Sequence, residues 1–572
     1  MTMKRIPFAC ALLTAALTSA WAQNVPLTAD QQLRQEQERL RYEQERAKQK
    51  QVPSGVDLNT IKPVTPTNVA KGPCSDIKTV QMSGADELYP DEREALTAAF
   101  TGRCLAASDI QQLMGEVTKL YVEHGFITTR AYLPEQDLRS GTLRVLVQEG
   151  RIEKIEVRGD DAGRINAGLA LPVREGDLLN IRDLEQAVDQ INSVRGNKVK
   201  LDLVPGSKPG QTIVVFNNTA SSPIGVLVSA DNSGWKSTGR NAVSASLTAG
   251  GLLGLNETIG LTARRTVPHT PEKSADSASA YFRLPLGYST VGLNYAESNY
   301  STGFMVQYGS GPVQSYVKGK SVTSGVTYDR ILSRDQNTLH KAIFELSTMN
   351  SKNYFEQPQN SVSEFLTANS RRSTTLSAGT TSTWLLPDAM LTVTPQVVIG
   401  VDDKSYLAGN TQSSREQPEF SKYTLDVAYN KGFQLGQHEM VWGSVFKGQY
   451  SRDSLLSMHQ LLIGGQPSVR GFADTTLSGD TGYFWRNDIS LKKQFDVAGS
   501  SVNTRFYAGY DFGHVSSRNA EAIEGTMSGM VLGVAAKVGQ FDVDLSWIHP
   551  VSVPTGMTRE SGRVLLSLSF RN

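Results

Sequence analysis

The sequence has little of three features that would narrow its function: cysteine, excess charge and long apolar runs. Only three of the 572 residues are cysteine, and 57 Lys and Arg against 56 Asp and Glu leave a net charge of +1. A near-neutral chain does not bind nucleic acid through bulk charge. No stretch reaches the roughly 18 apolar residues that a membrane-spanning helix requires. A place in a membrane would therefore require a closed β-barrel.

Common catalytic motifs are also missing. The chain has no GxxxxGK[ST] phosphate loop, no HExxH zinc motif and no GxSxG nucleophile elbow, and it contains only seven His. We predict no catalytic residues, no metal site, no cofactor and no use of nucleotide hydrolysis.

The first segment has the features of a secretory signal peptide. Lys4 and Arg5 precede an apolar run, Ile6–Leu17, and the small-residue pattern Ala20-Trp21-Ala22 follows it. Residues 1–22 are therefore predicted to be a cleaved leader, which places the mature chain outside the cytoplasm.

Two cysteines, Cys74 and Cys104, remain after the leader. In an oxidising compartment a disulfide between them is the default expectation. The alternatives, a metal ligand or a reactive thiol, have less support from the neighbouring residues.

A polar segment and a proline-rich segment follow the leader. Residues 30–51 consist mostly of Gln, Glu, Arg and Lys without Gly or Pro, which predicts a helix with no apolar face. Residues 52–73 contain four prolines and are predicted to be an extended linker. The segment 23–51 is therefore either a solvated spacer or a plug in a hydrated cavity.

Residues 74–150 and 151–217 are predicted to form two small domains in which helices and strands alternate. The longest predicted helices are Ser108–His124 and Ile181–Val194, and short β-prone runs surround them. The division between the domains is placed near Gly150.

From residue 221 to 572 the sequence alternates with a period of two. In Val502–Phe512 the odd set Asn503 to Asp511 is mostly polar and the even set mostly apolar. Segments of about ten residues, joined by alternating short and long connections, are typical of an outer-membrane barrel with a polar lumen. Soluble β-sandwiches also alternate, but segment length and the leader favour the barrel. Sixteen antiparallel strands fit the length, as do fourteen or eighteen, and a barrel this wide encloses an aqueous channel that segment 23–51 could plug.

The order of these parts resembles the outer-membrane transporters of two-partner secretion, the family of the haemolysin and filamentous haemagglutinin translocators. The similarity covers essentially the whole mature chain. The motifs that carry it are Gly102-Arg103-Cys104-Leu105, Tyr121–Pro134, Val147–Gly150, Leu203–Gly206, Val469-Arg470-Gly471-Phe472 and Tyr510–Gly513.

The resemblance implies that both small domains are polypeptide-transport-associated (POTRA) domains on the periplasmic side. It also implies that the loop with Val469, Arg470, Gly471 and Phe472 folds back into the barrel. Arg470 would be held there by Asp511, close to Gly513; the strand parity independently turns Asp511 inward. An ion pair in a wet lumen contributes only about 0–1 kcal/mol, so the expected role of Arg470 is to position the loop.

The implied partner is a large secreted exoprotein with an N-terminal secretion domain: an adhesin, a cytolysin or a contact-dependent inhibition toxin. The POTRA domains would bind it by β-augmentation. Thr128, Thr129 and Arg130 are candidate client contacts or ordinary fold positions. Outer-membrane lipid is a further expected partner, and nucleic acid is not.

Two other functions remain as alternatives, a barrel-assembly factor of the same superfamily and a diffusion porin. One departure from the family is also visible in the sequence. Barrels of this class usually end in an aromatic residue, whereas here Phe570 is followed by Arg571 and Asn572.

Overall fold

The computed structural model describes residues 73–308, 311–359, 362–407, 419–497, 499–519 and 522–572. The predicted leader (1–22) and polar helix (23–51) lie outside the described residues, as does all of the linker 52–73 except its last residue. Within the described ranges no helix is long and apolar enough to cross a membrane.

The first POTRA domain contains two helices and five strands. These are β1 Ser75–Ile77, β2 Thr79–Ser83, α1 Pro90–Phe100, β3 Arg103–Leu105, α2 Ala107–Glu123, β4 Arg130–Tyr132 and β5 Thr142–Gln148. Strand β5 lies between β2, which is parallel to it, and β4, which is antiparallel. Leu113 and Val117 of α2 are fully buried, as are Leu143 and Val145 of β5 in the same core cluster.

The predicted disulfide is present beside the small sheet of β1 and β3. Cys74 and Cys104 are bonded, with their Cα atoms 5.3 Å apart. Cys104 lies in β3, opposite Asp76 of β1. The bond therefore joins the start of this domain to the strand that precedes α2.

The second POTRA domain repeats the arrangement with shorter helices. Its strands and α-helices are β6 Arg151–Gly159, α3 Ala167–Ala170, α4 Ile181–Asn192, β7 Val199–Pro205 and β8 Gln211–Asn218. Strand β8 is central, parallel to β6 and antiparallel to β7. Helix α4 begins where the Asn180 side chain accepts the Arg182 backbone N–H at 2.9 Å, and it buries Leu184 and Ile191 completely.

The remainder of the chain forms a closed barrel of sixteen antiparallel strands. Its strands are β9 Ile224–Asp231, β10 Asn241–Gly250, β11 Thr258–Val267, β12 Lys273–Leu286, β13 Ser289–Tyr308, β14 Gly311–Arg334, β15 Thr338–Gln359, β16 Val362–Leu386, β17 Ala389–Leu407, β18 Ser421–Leu435, β19 His438–Ser451, β22 Thr481–Val497, β23 Ser500–Ser516, β24 Gly525–Val538, β25 Phe541–Ser552 and β26 Arg563–Arg571. The predicted barrel, preceded by two small domains, is thus confirmed, and sixteen is the strand number that the structure shows among the three that fitted the length.

The period-two alternation correctly separates the two faces of the wall. On β23, Phe506 and Tyr510 are 42% and 48% exposed on the outer face, whereas Asp511 is fully buried on the lumen side. The ten-residue strand estimate is too short for part of the barrel, since β14 has 24 residues and β16 has 25. About 9–11 residues suffice to cross the bilayer, so these strands continue beyond it.

Arg571 and Asn572 form part of the seam that closes the barrel. Arg571 pairs with Leu227 at the β26–β9 seam. Asn572 donates its backbone N–H to Val226 O (3.2 Å), and its side-chain oxygen accepts the Val226 N–H (2.8 Å). Arg195 of the second POTRA domain donates to Asn572 O at 3.1 Å. The extension past Phe570 therefore ties the seam to the second POTRA domain.

Helix α4 docks on the periplasmic turns of the barrel through buried polar groups. Gln190 Nε2 donates to Gly287 O at 2.9 Å, and Arg334 Nη1 lies 2.6 Å from Asp189 Oδ2. The Arg334 side chain is only 5% exposed. Burial raises the pKa of the Asp183 carboxyl, while the hydrogen bond that it accepts from Tyr288 acts in the opposite direction. These contacts fix the second POTRA domain relative to the barrel.

Candidate functional site

The candidate site is the connection between β19 and β22, residues 452–480, which folds back into the barrel and is called the lumen loop below. It contains a two-stranded hairpin, β20 Leu461–Ile463 with β21 Leu477–Gly479. Gly464 and Gly465 follow β20 with φ of +102° and +94°, a backbone region that non-glycine residues rarely adopt. The Gly-Gly pair is what allows the chain to turn into the motif.

The lumen loop is held to the wall by a compact apolar cluster. Val469 and Phe472 are fully buried within it. Its other buried members are Leu461, Ile463 and Leu477 from the hairpin and Phe484, Val515 and Met527 from β22, β23 and β24. The predicted Val469 and Phe472 thus act as apolar anchors on either side of Arg470.

Arg470 reaches two carboxylates on the barrel wall. Its Nε and Nη2 donate to Asp511 Oδ2 and Oδ1 at 2.6 and 2.7 Å, which is a bidentate ion pair. Its backbone N–H also donates to Asp511 Oδ2 at 3.0 Å. Its Nη1 donates to Asp488 Oδ1 at 2.7 Å. The structure therefore brings together the arginine and aspartate that the sequence paired, and it adds a second aspartate.

The environment of this pair differs from the expectation of a wet lumen. Arg470 is 6% exposed and Asp511 is not exposed at all. The value of about 0–1 kcal/mol, which holds for exposed ion pairs, therefore does not apply to this buried pair. Removing one partner of a buried pair leaves an uncompensated charge and costs about 3–5 kcal/mol.

Two glycines of β23 provide the space that the loop occupies. A Cβ on Gly509 would lie 2.6 Å from Arg470 Nη2, and one on Gly513 would lie 3.2 Å from Ile463 Cγ2 of the hairpin. Both share the lumen-facing parity of Asp511. The predicted Gly513 thus leaves room for β20, and Gly509, absent from the predicted set, leaves room for the guanidinium.

Sequence reasoning also missed a second arginine at the site. Arg486 lies opposite Asp511 in the register of β22 and β23. Its Nη1 donates to Gln466 O and Pro467 O, both at 3.1 Å, and so caps the turn just before the motif. The inward parity of Arg486 and Asp488 on β22 was the signal that could have revealed both.

A further attachment lies immediately after the motif, at the extracellular rim. Glu560, in the β25–β26 connection, accepts the backbone N–H groups of Ala473 and Asp474 at 3.0 Å each. The Asp474 carboxylate in turn contacts Arg240 Nη2 at 2.9 Å and the Lys236 backbone N–H at 2.7 Å, both in the β9–β10 connection. The lumen loop therefore joins the two connections that flank the barrel seam.

Gly471 brings the backbone of the lumen loop into direct contact with the wall. A Cβ on Gly471 would lie 2.6 Å from Gly529 Cα and 2.7 Å from His549 O. A Cβ on Gly529 would lie 2.4 Å from Gly471 Cα. No side chain fits between these two backbones.

We expect Gly471→Ala to displace the loop while the barrel still forms. The added methyl must push one backbone away from the other, and overpacking of this kind costs about 1–3 kcal/mol. The measurements are heat-modifiable migration of the purified protein, for barrel formation, and export of its client. Gly432→Ala is the matched control, because its Cβ would meet only Asp388 O at 3.8 Å. Equal export by both variants would show that this contact does not matter.

The three candidate client residues lie at the junction of the POTRA domains. Thr129 is 1% exposed, and its hydroxyl accepts the Gly150 N–H at 3.2 Å. Arg130 Nη1 donates to Ile127 O at 2.8 Å. A Cβ on Gly150 would lie 1.9 Å from Thr128 Oγ1. The hydrogen bonds of Thr129 and Arg130 stabilise this junction, and a direct role of the three residues in client binding remains a prediction.

The motif that ends the first POTRA domain has a structural role of the same kind. Glu149 Oε1 accepts the Tyr121 hydroxyl at 2.7 Å and the backbone N–H groups of Asp86 and Glu87 at 3.1 and 3.2 Å. Burial, with a smaller contribution from Glu149, raises the pKa of the Tyr121 hydroxyl. Helix α2, the β2–α1 loop and the end of β5 are fastened together at this carboxylate.

The described residues contain no group of three or more His, Cys, Asp or Glu side chains arranged to hold a metal ion. The contacts that the lumen loop makes are charge pairing, hydrogen bonding and apolar packing. Such contacts position a segment of chain, and they can be broken and remade.

Comparison with known proteins gives consistent matches. The haemolysin secretion/activation family ShlB/FhaC/HecB matches residues 210–536, the ShlB-type POTRA domain matches 75–150, and a POTRA domain family matches 151–205. The outer membrane transporter CdiB of Dickeya dadantii is 31% identical over 507 residues, covering 87% of each chain. The hemolysin transporter protein ShlB of Serratia marcescens is 28% identical, covering 85% of this chain and 83% of its own.

A solved structure agrees over nearly the full length. CdiB from Escherichia coli superimposes with a TM-score of 0.85 at 25% identity, covering 96% of this chain and 100% of that one. This chain thus combines a sixteen-stranded barrel and two POTRA domains with similarity to these relatives over most of its length. The chain belongs to the ShlB/FhaC/HecB family and is an outer-membrane transporter of two-partner secretion, with its POTRA domains in the periplasm.

Proposed function

We propose that this transporter exports one large exoprotein, with the lumen loop setting the shape of the conduit. The observation that carries the proposal is the buried contact of Arg470 with Asp511 and Asp488, which anchors the loop inside the barrel. The relatives are named for CdiB and for hemolysin transport. The client class proposed here is a secreted exoprotein with an N-terminal secretion domain, either an adhesin, a cytolysin or a contact-dependent inhibition toxin. Expression of the transporter with the exoprotein encoded beside it, in cells that lack other transporters, tests the assignment through release into the medium.

The proposal includes no catalytic step and no nucleotide. The free energy for transport would come from the client, which folds outside after it emerges and cannot return. The barrel contributes a hydrated path, and outer-membrane lipid surrounds its outer face.

The open edge of the first POTRA sheet supports capture by strand addition. Strand β2 is an edge strand, and Thr79 donates its backbone N–H inward, to Gly141 O at 3.1 Å. Backbone groups alternate in direction along a strand, so the N–H groups of Val80 and Met82 point toward the open edge. An extended client segment can pair there through main-chain hydrogen bonds, with little dependence on its sequence.

We expect Met82→Pro to weaken client binding by about fivefold to tenfold, because it removes one outward donor worth about 1 kcal/mol and disturbs the edge locally. The measurement is the affinity of the full chain in detergent for the client's N-terminal domain. Gln81→Ala is the control, because it changes a side chain on the same strand and keeps every backbone donor. If Met82→Pro binds as well as the control, the client does not use this edge.

A plug role for the polar segment 23–51 also belongs to the proposal. A helix without an apolar face is compatible with a hydrated lumen, and the linker 52–73 could allow it to leave when a client arrives. Its support is compositional, since the segment lies outside the described residues.

A further inference from the structure

Three cations stand together on the outer face of the barrel wall, away from the lumen. Lys320 of β14 lies opposite Lys352 of β15, and Arg372 of β16 lies opposite Asn350, one diagonal step from Lys352. All three are exposed and share the outward parity of Val326, Leu346 and Leu376. They are called the basic cluster below.

The basic cluster lies at the height of the outer lipid headgroups. Lys320 is eight residues from Tyr328, and Lys352 is eight residues from Phe344, which is the register partner of Tyr328. With a rise of about 3.3 Å per residue and a strand tilt of about 40°, the cluster stands about 20 Å above that pair. Phe344 is itself six residues beyond Thr338, the first residue of β15, so the cluster stands about 35 Å above the β14–β15 turn, which is more than the height of the apolar band. An outer-membrane barrel has an apolar band about 25 Å tall. The β14–β15 turn, next to Arg334, contacts the second POTRA domain, so the cluster lies at the opposite, extracellular end.

The charges of the basic cluster are only partly compensated. Lys320 Nζ lies 2.7 Å from Glu297 Oε1. In the part of the chain that the structure describes, neither Lys352 nor Arg372 has an acidic partner. Like charges on directly opposed cross-strand positions destabilise a sheet. An anion from outside the protein would relieve this repulsion.

We propose that the basic cluster binds the phosphate groups of lipid A, the phosphorylated glycolipid of the outer leaflet. A guanidinium can donate two hydrogen bonds from its planar fork to phosphate oxygens, and an ammonium supplies a point charge beside it. The exposed apolar residues beneath the cluster, among them Leu346 (48% exposed) and Leu376 (45%), would contact the acyl chains. The phosphates of one lipid would thus contact the basic cluster, and its acyl chains would contact the apolar residues below it.

The test is a titration of the full-length protein, purified in detergent, with diphosphorylated lipid A, followed by native mass spectrometry. We expect the double variant Lys352→Gln with Arg372→Gln to bind about tenfold more weakly than the wild type, because two solvent-exposed charge contacts are lost. Arg330→Gln is the matched control, since Arg330 is an exposed cation of the same outward parity at the periplasmic end of β14. It should bind lipid A as the wild type does.

Two further arms separate the lipid sources. Dephosphorylated lipid A should bind the wild type and the double variant equally weakly, and phosphatidylglycerol should not compete at equal concentration. Unchanged affinity of the double variant, an equal loss in Arg330→Gln, or full competition by phosphatidylglycerol would each overturn the proposal. Heat-modifiable migration of every variant establishes that the barrel has formed.

Discussion

Arg470→Ala is expected to give an inserted barrel that no longer exports its client. The substitution leaves Asp511, which is fully buried, and Asp488 without their cation. An unpaired buried charge costs about 3–5 kcal/mol, and about 1.4 kcal/mol corresponds to tenfold. The equilibrium constant for docking of the lumen loop should therefore fall by about a hundredfold or more, and export should fall accordingly.

Three variants make this experiment specific. Arg470→Lys keeps the charge but loses the bidentate contact, so it should export more client than Arg470→Ala and less than the wild type. Adding Asp511→Ala to Arg470→Ala removes a stranded carboxylate, and should recover thermal stability without export. Arg505→Ala is the control, because Arg505 lies on the lumen side of the same strand in a half-exposed contact with Asp544 at 3.9 Å. Export at the control level by Arg470→Ala would end the assignment of the loop.

Removing residues 23–51 is expected to raise the single-channel current of the purified protein in planar bilayers severalfold. A sixteen-stranded barrel is wide enough for an aqueous channel, and a polar helix inside it would exclude ions from most of that cross-section. The reading is the distribution of open-channel currents before and after deletion.

A shorter deletion within the linker, residues 54–60, serves as the control for this measurement. This deletion keeps the whole polar helix and leaves a linker long enough for the helix to reach the barrel lumen. It should leave the current at the wild-type value. If the variant without residues 23–51 conducts like the wild type, the helix is a spacer. The current is then limited by the barrel and its lumen loop.

Much of the barrel fold can be predicted from the period-two alternation of apolar and polar residues in the sequence. The outward set on β23 and the inward Asp511 are correctly assigned because side chains of a strand alternate strictly between lipid and water. Strand length was underestimated because alternation does not mark the level at which lipid ends, so β14 and β16 continue beyond it. The Cys74–Cys104 bond was predictable because only two cysteines remain after the leader.

The residues of the lumen-loop site could be predicted only in part from the sequence. The motif pointed to Arg470 and Asp511, but the contributions of Asp488, Arg486 and Gly509 depend on which strands are neighbours in the closed wall. The exposure of the ion pair to water was also misjudged. Burial is a property of the docked loop, and a sequence does not state how much water the loop excludes.

The sequence by itself determined the compartment, the division into small domains and barrel, and the face on which each strand residue lies, because these depend on local composition and on a period of two. Only the tertiary structure decided that Glu560 and Asp474 join the seam connections, that Asn572 and Arg195 secure the seam, and that Lys320, Lys352 and Arg372 meet on the outer wall. Those contacts connect residues far apart in the chain, and closure of the barrel, with its particular register, is what brings them within reach of one another.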